Sequence, residues 1–174
     1  MPIQPSTAFS EVSIRAARPD EALEVAKVHV TADRETYQPI FGRHFKAVEI
    51  DRSQQRWDAA LGAGEVLLVA ESAGRIVGFA HASPTWMSAL YLLASHRRRG
   101  VGRRLLTALC RELRARGVAE IGFQAVADNA GAIAFYRAMG ARAVGRKLEG
   151  EGDAAWEDIV FTLPTQATAA FRRR

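Results

Sequence analysis

Five arginines crowd the stretch from Arg97 to Arg104, interrupted only by Gly100, Val101 and Gly102. An apolar run, Leu90-Tyr91-Leu92-Leu93-Ala94, feeds into it, and a four-residue apolar repeat (Val101, Leu105, Leu109, Leu113) leaves it. Strand, glycine loop and helix start, in that order, make a cradle for an anion. The first N–H groups of a helix have no intrahelical acceptor, and the helix dipole puts partial positive charge at that end. Gly100 and Gly102 let the backbone approach a phosphate with no Cβ in the way. The flanking arginines add bidentate contacts. Taken alone, Arg97 to Arg99 also fits a solvated surface run, and the two glycines a simple helix-entry turn.

The spacing narrows the choice of phosphate ligand. The dinucleotide fingerprint GxGxxG fails because Leu105 stands where the third glycine belongs, and no Gly-Lys-Ser/Thr marks a nucleoside-triphosphate loop. The pattern Gln/Arg-x-x-Gly-x-Gly/Ala is met by Arg97, Gly100 and Gly102. In this the chain resembles the GNAT acetyltransferases, whose pyrophosphate loop has that form between a strand and a helix. A second block, Asn129-Ala130-Gly131-Ala132-Ile133-Ala134-Phe135-Tyr136-Arg137-Ala138-Met139-Gly140-Ala141, is similar to the family signature Asn-x-x-Ala-x-x-Phe-Tyr-x-x-x-Gly-Phe. Only Ala141 departs from it. The hairpin from Val66 to Ala80 is also similar to the family's, and the distance between the two blocks leaves room for one helix and one strand.

The resemblance implies an α+β fold of three layers (α/β/α), with a mixed, mostly antiparallel sheet whose central parallel strands splay. It implies acetyl-CoA as cosubstrate and direct attack of a primary amine, on a small molecule or a polypeptide, upon the thioester. The backbone of Leu92, Leu93 and Ala94 would pair with the pantetheine arm; Ala94 replaces the family's usual proline, a change the backbone should tolerate. Arg97, Arg98, Arg99, Gly100, Val101, Gly102, Arg103 and Arg104 would surround the pyrophosphate. Asn129 would hydrogen-bond the pantetheine arm, and Tyr136 would face the coenzyme sulfur and protonate the leaving thiolate. The acceptor pocket would come from about Thr31 to Trp57.

Catalysis also needs a neutral amine. An alkylamine has a pKa of about 10.4, so near neutrality only about one part in a thousand is unprotonated, a deficit of about 4 kcal/mol. Many relatives place a glutamate on the fourth strand for this, but Trp86, Met87, Ser88 and Ala89 occupy those positions here. Base catalysis is then expected to run through ordered water or another element; Asp33, Glu35 and His81 are candidates, and each also fits a surface or core role. The missing glutamate keeps a second reading open: an acyl-CoA-binding module of the same fold without turnover. A nucleic-acid-binding reading predicts aromatics among the arginines for stacking, and none lies there.

The elements that must position these residues follow from periodicity. Val12 to Ala16 alternates as a strand; Pro19 and Asp20 open a helix running to about Ala32, with Leu23, Ala26 and Val30 on one face. The segment from Asp33 to Ile50 mixes Tyr37, Phe41 and Phe45 with charges, Pro39 and Gly42, and shows no period. Ser53 to Leu61 reads as a helix, Val66 to Ala82 as a hairpin about Ser72-Ala73-Gly74-Arg75, and Trp86 to Ala94 as a strand. A helix to Arg116, a strand from Val118 to Val126, a helix capped at Asp128 or Asn129, a short strand around Ala143 and a last one from Trp156 to Leu163 complete the pattern.

Composition bounds the rest. The 174 residues, 48% hydrophobic and 25% charged, suit one globular domain, expected over 11–164 between a flexible segment (1–10) and a basic tail (165–174). Arg172, Arg173 and Arg174 carry three of the five surplus positive charges, so the excess is local and nucleic acid is not an expected partner. No apolar run is long enough for a bilayer, so no membrane association is expected. One cysteine, Cys110, and no secretion signal suit the cytoplasm. His29, His44, His81 and His96 show no zinc spacing, so no metal is expected. A homodimer is an expectation from relatives alone.

Overall fold

The structure, a computed structural model, describes residues 11–166. The chain order is β1 (Val12–Ala16), α1 (Ala22–Phe41), α2 (Ile50–Gly62), β2 (Val66–Ser72), β3 (Arg75–Ser83), β4 (Trp86–Leu92), α3 (Val101–Ala115), β5 (Glu120–Val126), α4 (Ala130–Ala138), β6 (Arg142–Glu149) and β7 (Trp156–Pro164). Seven strands form one sheet in the order β1-β2-β3-β4-β5-β7-β6. Every neighbouring pair is antiparallel except β4 and β5. The expected three-layer α+β fold is what the chain forms.

The run Val66-Leu67-Leu68-Val69-Ala70 is apolar throughout because β2 is covered on both faces. Val66, Leu68 and Ala70 join the core under α3 and α4, with Leu105, Leu109, Phe123 and Phe161. Leu67 and Val69 point the other way, into a second core with Val25, Ala26, Trp57 and Phe79 under α1 and α2. The period-two alternation of a strand sorts them.

β4 and β5 share a single register pair, Trp86 with Gly122, whereas β3 and β4 stay paired as far as Gly78 with Leu92. The two central strands therefore separate along their length. At the closed end the Gly122 N–H donates to Thr85 O (2.8 Å), and the Trp86 indole lies so close that a Cβ on residue 122 would stand 2.8 Å from the ring.

Three elements differ from the sequence reading. α1 runs to Phe41 rather than Ala32, and its buried residues are Ala22, Val25, Ala26, Val28, His29, Ala32 and Asp33; Leu23 is exposed. Two of those residues are polar, which hides the helical period. Pro39 sits in the last turn of α1, and Gly42 (φ +51°) ends it. The strand beyond α4 spans eight residues, yet its side chains from Arg142 to Leu148 are exposed on both faces, so no apolar alternation announces it. The strand before the arginine loop stops at Leu92, and Ala94–His96 form a 3-10 turn. Past β7, Thr165 is buried and bonded to Val118 O (2.8 Å) and Ala119 O (3.1 Å). The segments 1–10 and 167–174, including the arginine triplet, lie outside the described residues.

Candidate active site

The separation of β4 from β5 opens toward the arginine loop. Gly100, the N-cap of α3, is left-handed (φ +78°) and offers no side-chain cap, and the first helical bond closes from Arg104 N to Gly100 O (3.1 Å). The Val101 and Gly102 N–H groups thus face out of the helix start without an intrahelical acceptor. Arg98 also takes a left-handed conformation (φ +60°), which a non-glycine residue holds at a cost of about 1–2 kcal/mol. Two such turns within three residues bend the chain sharply before α3. Arg98, Arg99, Arg103 and Arg104 are exposed around the bend. Together these supply the donors and positive charge that a diphosphate requires.

Arg97 behaves differently from the other arginines. Its Nε donates to Leu92 O (2.9 Å), and its Nη2 reaches Thr36 Oγ1 (3.0 Å), Ala32 O (3.4 Å) and Glu35 Oε2 (3.4 Å) on α1. The side chain is committed to the protein. Glu35, a base candidate, accepts the Ala94 N–H at 2.7 Å. The family's proline would have no such N–H, so Ala94 brings a donor that this carboxylate satisfies. Leu93 N is likewise taken, by Val77 O (2.9 Å).

Tyr136 lies on the α4 side of the gap, buried against Phe123 (centroids 4.5 Å), Phe135 (5.2 Å) and Phe161 (6.1 Å). Burial, with the nearby Tyr37 phenol, raises its pKa above the ordinary tyrosine value, so it remains a proton donor across the neutral range. Asn129 caps α4 through Oδ1, accepting from Ala132 N at 3.1 Å, and stands near the Tyr37 hydroxyl.

Tyr37 is the residue that periodicity missed. It stands on α1, across the sheet from α4; burial raises the pKa of its phenol, the Asp33 and Asp158 charges adding to the rise and the nearby side chains of Asn129 and Tyr91 opposing it. Only where two strands part can groups from opposite layers meet in this way. Asp33, one helical turn earlier, is buried, and its carboxylate meets the Tyr91 hydroxyl at 3.4 Å. Burial raises its pKa, the Tyr91 bond opposing the rise in part. Asp33 and Tyr37 form one wall of a cavity of about 450 Å³, closed by Phe41, Phe45 and Trp156. A larger hollow of about 560 Å³ lies at the other end of α1, where Arg18 and Lys27 are already paired with Glu21 and Glu24.

His81, the third base candidate, is placed elsewhere. It pairs with Ala89, near the closed end of the gap, and bonds Ser88 Oγ (2.6 Å) and Glu65 Oε2 (2.7 Å). Burial lowers its pKa, against the pull of Glu65. Among the described residues no cluster could hold a metal ion, and no helix is long and apolar enough to cross a membrane.

Comparison with known proteins matches this geometry. Residues 30–141 match the sequence pattern described as the Acetyltransferase (GNAT) family. No curated protein matches the chain. Among solved structures, the ribosomal-protein-alanine N-acetyltransferase of Brucella melitensis is similar at 24% identity and a TM-score of 0.72, over 87% of this chain and 99% of that one. The yncA protein of Salmonella typhimurium, solved with its cofactor acetyl-CoA, is 22% identical (TM-score 0.71; 88% of this chain, 94% of that one). The PaiA N-acetyltransferase of Thermoplasma acidophilum, in complex with coenzyme A, is 16% identical (TM-score 0.68; 88% and 99%).

Proposed function

The chain belongs to the GNAT acetyltransferase family, which uses acetyl-CoA, and on that premise we propose that it transfers the acetyl group to a primary amine, of a small molecule or a polypeptide, by direct attack. The observation that carries this reading is the gap between β4 and β5, with the unspent N–H groups of α3 at its mouth and the Tyr136 phenol at its wall. The residues present fit the coenzyme. Val101 and Gly102 offer main-chain donors to the pyrophosphate, and Arg98, Arg99, Arg103 and Arg104 surround it with charge. Arg97 acts through the fold, holding the loop to α1.

When bound, acetyl-CoA supplies an activated carbonyl. A C–N bond forms to the acceptor, the C–S bond breaks, and the sulfur takes a proton that Tyr136 delivers. The acceptor, which enters as an ammonium ion, gives up two protons: one restores Tyr136 and the other leaves to solvent. Asp33 is the base candidate that lines a cavity next to Tyr37; Glu35 is occupied by Ala94 and Arg97, and His81 stands at the closed end of the gap.

The test is release of free thiol from acetyl-CoA on a panel of primary amines, run beside an acetyl-CoA titration. Turnover with at least one amine supports the reading. Tight coenzyme binding with no turnover on any amine favours the non-catalytic acyl-CoA-binding module instead.

A further inference from the structure

The cavity beside Tyr37 has a distribution of charge that bears on which amine it accepts. Its inner end is Asp33, 7% exposed, whose carboxylate has one neutral donor, Tyr91, and no cation among the described residues. A second buried carboxylate, Asp158 (4% exposed), stands near Tyr37 and takes N–H groups from Gln124 (2.7 Å) and from Trp156 Nε1 (3.2 Å). It too has no salt bridge among the described residues. The walls are aromatic: Tyr37 stacks on Phe41 (5.8 Å), and Phe41 meets Trp156 at 5.4 Å. His44 and Lys46 come from the segment after α1 and Glu151 from the segment between β6 and β7. Tyr91 faces Asp33 from β4, and His29 lies one turn away on the same helix.

A lone buried carboxylate is costly unless a cation arrives to pair with it. Aromatic faces around it add attraction for an ammonium group and for an apolar body. Asp33, the carboxylate that lines the cavity beside Tyr37, repels any anion brought to that end. We propose that this cavity selects a primary amine with an apolar or aromatic body and no carboxylate on the carbon bearing nitrogen, and that Asp33 is the residue that determines this choice. The inference rests on the acetyl-transfer reading for its reaction, though the binding it describes does not require turnover.

The experiment compares phenethylamine with phenylalanine, on the full chain with acetyl-CoA, in wild type, Asp33→Asn and Asp33→Glu. Wild type is expected to favour phenethylamine in kcat/KM by roughly tenfold or more, the scale of one charge-assisted contact. Asp33→Asn, which keeps the shape of the side chain but also removes the base candidate, is expected to slow turnover of both amines and to remove most of the preference, read as calorimetric affinity for the two, while leaving acetyl-CoA affinity and the melting temperature near wild type. Asp33→Glu is expected to restore part of it. Calorimetric binding of phenethylammonium to the coenzyme A complex separates the two claims. Asp33-dependent binding without turnover upholds the cavity and sinks the reaction. Turnover with equal or reversed preference, a preference unchanged in Asp33→Asn, or no binding of either compound overturns the inference about Asp33.

Discussion

The guanidinium of Arg97 donates to the hydroxyl of Thr36 at 3.0 Å, so the first arginine of the glycine loop is bonded to the helix that carries Asp33 and Tyr37. Glycine loop and cavity wall are thereby one mechanical unit. Arg97→Ala is expected to lower stability by about 1 kcal/mol, since these contacts are half-exposed. It is also expected to raise KM for the amine as well as for acetyl-CoA. Denaturant melts at unchanged slope and two-substrate kinetics check this; a change confined to acetyl-CoA would put Arg97 back among the phosphate ligands.

The two glycines of the loop are not equivalent. Gly100 is left-handed with open space around its Cα, so Gly100→Ala costs conformation alone, about 1 kcal/mol. That strain falls on the loop, and weaker acetyl-CoA binding is expected. At Gly102 a Cβ would meet Phe135 Cζ at 3.6 Å, an ordinary contact, and the backbone is helical. Gly102→Ala should bind acetyl-CoA within a few-fold of wild type and melt no lower. Isothermal titration of the pair decides it.

Tyr136→Phe tests the proposed acid. Phenylalanine keeps the ring packed on Phe123, Phe135 and Phe161, so folding and acetyl-CoA affinity should persist while kcat falls roughly a hundredfold or more, the usual scale of general-acid catalysis. Steady-state rates beside a binding titration separate the two effects. Unchanged kcat would assign the proton to another donor.

Acid should loosen the α1 side first. Burial, with the Arg56 charge nearby, lowers the His29 pKa from about 6.5 to about 4. The unfolded chain therefore binds a proton at this site that the folded chain refuses between those values. Stability contributed by neutral His29 is intact above about pH 6.5 and is lost as pH falls toward 4. His29→Gln, which can still bond Ser53, should flatten the melting temperature across that window. A parallel decline in wild type and variant would remove His29 as the cause.

Legibility in the sequence followed the apolar code. The double-faced run of β2, the four-residue repeat of α3 and the cap of α4 at Asn129 could be read because burial there is written in hydrophobic residues. The second half of α1 could not. Its inner face carries His29, which packs on Trp57 and Phe79 in the core, and Asp33 and Tyr37, which line the cavity, so a helix there shows no apolar period. A stripe counted by position regardless of polarity (22, 25, 26, 29, 32, 33) would have extended it. The edge strand β6 was seen only in part because neither of its faces is buried. The loop glycines were found through spacing, but the inward turn of Arg97 was not: an arginine in a basic run gives no sign of which way it points.

The Trp86 indole laid over Gly122 acts as the rivet of a pair of scissors. The blades β4 and β5 part from that point, and over the roughly 20 Å to Leu92 a tilt of about 5° moves the tip by about 2 Å. The width of the gap at its far end is thus geared to one ring at its near end.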